Sequence, residues 1–260
     1  MYSQLKEIGG TKLSVEEVEA TGTDAHHLIW GHGWGQSAAA LLPLAQSLKP
    51  FASSSVIDFP GFGKSPAPPE SWGTAEYADC VAELVRGLGS RQIISVGHSF
   101  GGRVGLQIAA RHPELLSGLI LIAGAGLKRR RTLFGKLQLE TRRLGFKTAK
   151  LFTPEGPRRD ALRDRFGSRD YRSAGALRPV FVRVVSEDLT EVAKAVQCPT
   201  LLLYGSLDAE TPPEFGERFH RLIPRSELAI LEGFDHLNVL TAGRHQLTLR
   251  IRKFLESFGR

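Results

Sequence analysis

The chain alternates between short apolar runs and longer amphipathic stretches, and this alternation predicts its elements. Uncharged runs rich in leucine and β-branched residues indicate buried strands, whereas apolar residues spaced three and four apart indicate helices. The predicted strands are 27–30, 54–57, 93–96, 119–122, 200–204 and 228–231, preceded by a half-exposed strand at 13–20. The predicted helices are 37–48, 74–88 with Thr74 as the N-cap, 103–111, 213–222 and 243–258.

Strands that alternate with helices through short connections favour an α/β domain with a mostly parallel, doubly wound sheet. The alternation stops at Gly124. From there to about residue 189 the pattern is that of several amphipathic helices, with no buried strand. We therefore expect one core, formed by residues 1–123 and 190–260, with a helical insertion at 124–189.

Ser99 lies where a predicted buried strand meets a helix, and Gly97 and Gly101 stand two positions to either side of it. This G-x-S-x-G pattern is typical of a turn so sharp that the flanking positions leave almost no room for a Cβ atom. Such a turn lifts the serine hydroxyl clear of the sheet, beside backbone N–H groups that can bind an oxyanion. A glycine-rich turn with no catalytic role would also explain these five residues. Whether Ser99 is a nucleophile therefore depends on the residues in the other loops at the same end of the sheet.

Two further loops follow buried strands. Asp208 comes after the strand at 200–204, and Asp235 and His236 come after the strand at 228–231. In a parallel sheet these loops leave from the same edge as Ser99, and the order serine, acid, histidine is the order of hydrolases built on such sheets. We favour Asp208 as the partner of His236, because a neighbour in sequence cannot easily reach the far nitrogen of the same ring.

Together with two glycine-rich loops nearer the N-terminus, these segments resemble the α/β-hydrolase family. The resemblance implies an α/β-hydrolase fold, a mostly parallel central sheet flanked by helices, with a helical cap inserted after the sixth strand, at 124–189. It also implies an oxyanion hole made by the backbone N–H groups of Trp34 and Phe100. The segments that carry the resemblance are 32–35, 58–65, 97–102, 205–208 and 233–236.

Within that family, the loops around Trp34 and Asp208 look like those of carboxylesterases that cleave a carrier-bound pimeloyl methyl ester. The residues beside the serine, His98 and Phe100, depart from that group, which often has Trp and Leu there. The resemblance therefore implies the family and does not imply that substrate.

These residues predict a serine hydrolase that cleaves a small-molecule carboxylic ester through an acyl-enzyme and needs no cofactor. Ser99 would be the nucleophile, His236 its base, and Asp208 the carboxylate that orients the imidazole. Cleavage of a carbon–carbon bond and perhydrolysis can use the same three residues, and a hydrolase-like receptor can keep them for ligand recognition. The pattern assigns no residue to substrate binding.

Other classes of site fit the sequence poorly. Gln36 replaces the last glycine of a dinucleotide-binding loop, and Asp58 replaces the first glycine of a phosphate-binding loop. The eight histidines are scattered without the spacing of metal ligands, so we expect no metal.

The formal net charge of +7 is concentrated in one segment. Residues 124–190 hold 17 Lys and Arg against 7 Asp and Glu, so this segment is more positive than the chain as a whole. A basic cap would attract an acidic carrier protein or an anionic substrate. The arginines could equally serve only to keep exposed helices soluble in water. Nucleic acid is not expected as a partner, because no binding motif accompanies the charge.

The N-terminal residues lack a basic segment followed by an apolar one, and the chain has 2 cysteines. No apolar run approaches the roughly 20 residues of a membrane-spanning helix. We therefore expect a cytoplasmic protein without stable membrane insertion.

Overall fold

The structure is a computed structural model that describes residues 2–8, 10–22, 26–89, 92–129 and 169–259. Its strands form one sheet in the order β1-β2-β4-β3-β5-β6-β7-β8. β1 pairs with β2, and β2 with β4, in antiparallel register, whereas every other neighbouring pair is parallel. The strands are β1 (Tyr2–Ile8), β2 (Thr11–Val18), β3 (His26–Gly31), β4 (Ser53–Asp58), β5 (Gln92–His98), β6 (Gly118–Ile122), β7 (Thr200–Gly205) and β8 (Ser226–Leu231).

Helices connect the parallel strands and cover both faces of the sheet. One buried apolar cluster, containing Tyr77 and Phe219, lies on one face, and a second, containing Trp30 and Ile251, lies on the other. The α-helices are α1 (Leu42–Leu48), α2 (Thr74–Arg86), α3 (Phe100–Arg111), α4 (Arg169–Ser173), α5 (Arg178–Ser186), α6 (Thr190–Lys194), α7 (Pro213–Leu222), α8 (Asn238–Thr241) and α9 (Arg244–Glu256), with 3-10 turns at Ala38–Ala40, Gly175–Leu177 and Ser257–Gly259. Two layers of helices around a mostly parallel sheet agree with the predicted fold.

Several elements differ from the sequence prediction, and the short helices α6 and α8 are among those that were not predicted. β1 was not predicted, because it is an edge strand that pairs only with β2 and leaves Leu5 exposed, so it has no buried apolar run. The helix predicted at 37–48 is divided into a 3-10 turn and α1. Pro43 stands in the first turn of α1, where its missing N–H costs nothing, and it would interrupt a longer helix.

Within the predicted insertion, the structure describes 124–129 and 169–189, and the helices predicted between 130 and 168 lie outside the described residues. The end of this segment is tied to the core through α2. Glu187 accepts hydrogen bonds from the backbone N–H of Thr74, at 3.0 Å, and from its hydroxyl. The prediction of Thr74 as an N-cap is therefore wrong. Thr74 is the first residue of the helix, and a carboxylate from a distant segment satisfies its N–H.

The carboxyl ends of β3, β5, β7 and β8 lie at one edge of the sheet, since these strands run parallel. The loops that follow them therefore meet at this edge, where open α/β sheets bind their ligands. No helix in the described part of the chain is both long and apolar enough to cross a membrane.

Candidate active site

Ser99 occupies a strained turn between β5 and α3. Its backbone has φ 49° and ψ −103°, a region that residues with a side chain rarely adopt and that costs about 1–3 kcal/mol. The chain around it is in close contact: a Cβ atom on Gly97 would lie 2.3 Å from the carbonyl of Gly101, and one on Gly101 would lie 2.0 Å from the carbonyl oxygen of Gly31. Glycine is thus required at both positions, and the turn leaves Ser99 partly accessible to solvent.

Asp208 and His236 form a buried pair beside this turn. Oδ2 of Asp208 lies 2.8 Å from Nδ1 of His236, and the two side chains are 0% and 9% exposed. A neutral or protonated imidazole donates from Nδ1 to the carboxylate, which leaves Nε2 directed away from Asp208. This contact holds the histidine ring in one orientation.

Asp235, the competing acid, has a different role. Its Oδ1 accepts hydrogen bonds from the backbone N–H groups of Leu237, at 2.9 Å, and Asn238, at 2.7 Å. Asp235 therefore closes a turn before α8, and Asp208 is the carboxylate that bonds the ring of His236, as expected from the sequence.

The carboxylate of Asp208 is held by its own loop. The backbone N–H groups of Glu210 and Thr211 each donate to Oδ1 at 2.8 Å, and the hydroxyl of Thr211 lies 2.8 Å from Oδ2. The same hydroxyl is 3.2 Å from Nδ1 of His236. Thr211 was not predicted as a site residue, although an aspartate in a loop often bonds the backbone a few residues on.

The pair is arranged to stabilise an imidazolium. Burial by itself would raise the pKa of Asp208, but the hydrogen bond and charge of His236, together with the bonds from Thr211, lower it overall. Burial would likewise lower the pKa of His236, and the hydrogen bond and charge of Asp208, aided by the charges of Glu210 and Asp170, raise it above its usual value. The two shifts agree, because each partner favours the charged form of the other.

Trp34 and Phe100 face each other at the start of α3. Their rings lie 5.6 Å apart, and the ring of Trp34 also packs 5.0 Å from that of Phe181, on α5. Within the described residues, no acceptor receives a hydrogen bond from the backbone N–H of either Trp34 or Phe100. Two backbone donors beside Ser99 are thus available to a ligand oxygen.

His32 links the loop after β3 to the loop after β4. Its Nδ1 donates to the carbonyl of Gly33 at 2.8 Å, and its Nε2 accepts from the N–H of Phe59 at 3.1 Å. This arrangement requires a neutral ring, and burial lowers the pKa of His32 to about 4. The histidine therefore shapes the loop that carries Trp34.

Asp58, which excluded a phosphate-binding loop in the sequence, holds its own loop together. Its carboxylate accepts hydrogen bonds from the N–H of Ala38, at 2.6 Å, and of Lys64, at 2.9 Å. Among the described residues, no group of three or more His, Cys, Asp or Glu is arranged to hold a metal ion.

The contact at Nε2 of His236 was not expected. The described residues form no direct hydrogen bond between Ser99 and His236, and a carboxylate oxygen of Glu210 lies 3.4 Å from Nε2 instead. Carboxylates thus face both nitrogens of the ring. Glu210 is 64% exposed, so its side chain has room to leave this position.

Comparisons with known proteins agree on a fold and a family. The sequence model of the alpha/beta hydrolase family matches residues 28–245. The pimeloyl-[acyl-carrier protein] methyl ester esterase of Vibrio cholerae is 25% identical over 246 residues, which are 86% of this chain and 91% of that protein. The same-named esterase of Salmonella newport is 27% identical over 236 residues, 81% of this chain and 86% of that protein. A thermophilic esterase from Thermogutta terrifontis superimposes with a TM-score of 0.69 at 25% identity, covering 99% of both chains.

Proposed function

The chain belongs to the alpha/beta hydrolase family, and from that premise we propose that it is a serine hydrolase that cleaves a carboxylic ester through an acyl-enzyme. The observation that carries the proposal is the buried 2.8 Å contact between Asp208 and His236 beside the strained turn of Ser99. The esterase names of the relatives support ester hydrolysis as the reaction.

In the proposed reaction, Ser99 attacks the ester carbonyl while Nε2 of His236 takes the hydroxyl proton. A serine hydroxyl is a poor nucleophile without such a base, whose contribution is typically about 10²–10⁴-fold. Asp208 keeps the proton on Nδ1 and stabilises the imidazolium that forms. His236 then returns the proton to the departing alcohol oxygen, and water repeats the sequence on the acyl-enzyme.

The tetrahedral intermediate places a negative charge on the former carbonyl oxygen. The backbone N–H groups of Trp34 and Phe100 are the proposed donors to this oxyanion, since both lack a protein acceptor in the described part of the chain. A donor of this kind contributes about 2.7–4 kcal/mol to the transition state. The ring of Trp34 packs against those of Phe62, Phe100 and Phe181, and these contacts restrain the loop that carries the donor.

For the substrate class, we propose an ester that is carried by an acidic protein. Two observations support it: relatives are esterases of an acyl-carrier-protein methyl ester, and residues 124–190 hold 17 basic against 7 acidic residues. A positive surface accelerates encounter with an acidic partner and leaves the chemistry unchanged.

The test is the Ser99→Ala variant with a series of short p-nitrophenyl esters and a fluorophosphonate label. We expect the variant to lose steady turnover and labelling, while Ser95→Ala, in the same strand but away from the turn, keeps both. Near wild-type turnover by Ser99→Ala would overturn the mechanism. One acylation that then stops, in the wild type, would instead favour a ligand receptor.

A further inference from the structure

A groove opens beside His236, and it is lined in part by Glu210, whose carboxylate lies 3.4 Å from Nε2. Its volume is about 450 Å³, and it lies between the loop that carries Asp208 and the loop that carries His236. Leu207 and Leu237 line it and are 64% and 54% exposed, which is unusual for leucine. Two exposed apolar side chains that line one groove give an apolar ligand a surface to contact.

The charged side chains that line this groove, in the part of the chain that the structure describes, are carboxylates. Glu210 and Asp235 line it, and Asp170 acts on His236 from α4. Among the described residues that line the groove, none is Lys or Arg. Arg129 donates from its guanidinium to the backbone carbonyls of Ala209 and Glu210, each at 2.6 Å, but it does not line the groove.

The reaction itself identifies which part of a substrate reaches this groove. In the proposed mechanism, Nε2 of His236 must give its proton to the departing oxygen, so that oxygen must come within about 3 Å of Nε2. The atoms attached to it then extend into the space that adjoins Nε2. Glu210 occupies part of that space, with its carboxylate 3.4 Å from Nε2.

We propose that the groove between Leu207 and Leu237 binds the alcohol part of the ester, and that Glu210 makes it selective for apolar neutral or cationic alcohols over anionic ones. This inference rests on the proposed ester hydrolysis. The leucines contact an alkyl or aryl chain, and the carboxylate of Glu210 attracts a positive substituent and repels a negative one.

The charge part is tested with three esters of one acyl group, whose alcohols are neutral butanol, cationic 2-(trimethylammonio)ethanol and anionic 3-hydroxypropanoate. We expect the wild type to prefer the cationic over the anionic ester, and Glu210→Gln to reduce that ratio of kcat/KM about tenfold at low salt. Added salt should shrink the wild-type preference, because it screens a partly exposed charge. Glu227→Gln removes the same charge near the amino end of β8, whereas the groove lies beyond the carboxyl end of that strand. This variant should leave the ratio unchanged.

The apolar part is tested by Leu207→Ser and Leu237→Ser. Each should lower the preference for a butyl over a methyl ester about threefold to tenfold, since a few methylene groups lose their apolar contact. Leu5→Ser is the matched control, because Leu5 is also 54% exposed but lies on β1, an edge strand.

The outcomes separate the two proposals. If no ester is turned over, ester hydrolysis is wrong and the subsite fails with it. If esters are turned over but Glu210→Gln leaves the cationic-to-anionic ratio unchanged, or Glu227→Gln changes it equally, the charge selectivity alone is overturned. If Leu207→Ser and Leu237→Ser leave the butyl-to-methyl preference unchanged, the alcohol part of the ester does not bind in this groove.

Discussion

Nε2 of His98 donates a hydrogen bond to the backbone carbonyl of His236 over 2.9 Å, and the two rings lie 4.9 Å apart. His98 ends β5 immediately before Ser99, so this bond ties the serine turn to the loop of the proposed base. Burial, aided by the charge of His236, lowers the pKa of His98 to about 3, and the ring stays neutral at ordinary pH. His98 therefore joins the backbone of the His236 loop to the serine turn, a contact that its place in the sequence did not indicate.

The first prediction concerns this bond. His98→Phe removes the donor and leaves a buried carbonyl unpaired, which costs about 1–3 kcal/mol of folding free energy. We expect kcat to fall about 10- to 100-fold, because His236 loses its alignment with Ser99. His98→Gln keeps an N–H donor and should recover part of kcat. Equal kcat in the Phe and Gln variants would show that the bond does not position His236.

The second prediction compares the two acids. Asp208→Asn should lower kcat on the order of 10⁴-fold, because an amide no longer holds the required tautomer and no longer stabilises the imidazolium. Asp235→Asn should lower it much less, since Asp235 caps a turn and does not contact the ring. Steady-state kinetics on one ester measures both variants. The reverse ranking would mean that Asp235 is the functional acid.

The third prediction is the pH dependence of kcat/KM. His236 must be deprotonated to act as a base, and its pKa is raised above the usual 6.5 of histidine, so activity should rise with pH through a single transition above 6.5. Among the described residues, the charges of Asp208, Glu210 and Asp170 act on the ring, and the neutral ring of His98 lies beside it.

Removing one of these charges should move the midpoint in a known direction. Glu210→Gln should shift the transition to lower pH, because the imidazolium loses one stabilising carboxylate. Chelators should have no effect on the profile. A midpoint that moves upward in the Glu210→Gln variant would contradict the electrostatic assignment.

The fourth prediction concerns the contact between Glu187 and Thr74. Glu187→Ala leaves the first N–H of α2 and a buried hydroxyl without their acceptor, and should lower the free energy of unfolding by about 1–2 kcal/mol. Urea denaturation measures the change. Glu191→Ala, at a position 80% exposed on α6, is the control and should cost less than about 0.5 kcal/mol. Equal losses of unfolding free energy in the two variants would show that the contact of Glu187 with Thr74 does not stabilise the fold.

The fifth prediction tests whether the basic segment recruits a carrier protein. Arg130 and Arg131 are replaced by glutamate, whereas Arg129 is kept because it bonds the backbone of Ala209 and Glu210. We expect kcat/KM to fall for a carrier-bound ester and to stay constant for a small neutral ester. The loss should diminish with salt, since the Debye length is about 8–10 Å near physiological ionic strength.

The control reverses two charges on the core, Arg250→Glu with Lys253→Glu on α9. This pair changes the net charge equally and should leave the carrier-bound ester unaffected. Equal effects on both substrates, or equal effects of the two double variants, would show that the basic segment does not recruit the carrier protein.

The sequence by itself determined the seven strands with apolar or alternating patterns and the loops that follow them. Burial on both faces of a parallel sheet demands uninterrupted apolar runs, and the turn at Ser99 demands glycine at Gly97 and Gly101, so both leave a local signal. The order of the loops along the chain was then enough to bring Asp208 and His236 to one edge, where the structure has them 2.8 Å apart.

Only the tertiary structure decided which side chains meet within those loops. The contact of Glu210 with His236 and the hydrogen bond from His98 to the His236 carbonyl join residues 26 and 138 positions apart, so neither leaves a periodic pattern. β1 likewise depends on pairing with β2. Periodicity reports how deeply a face is buried, whereas the direction of a loop side chain depends on distant neighbours that the fold brings to it.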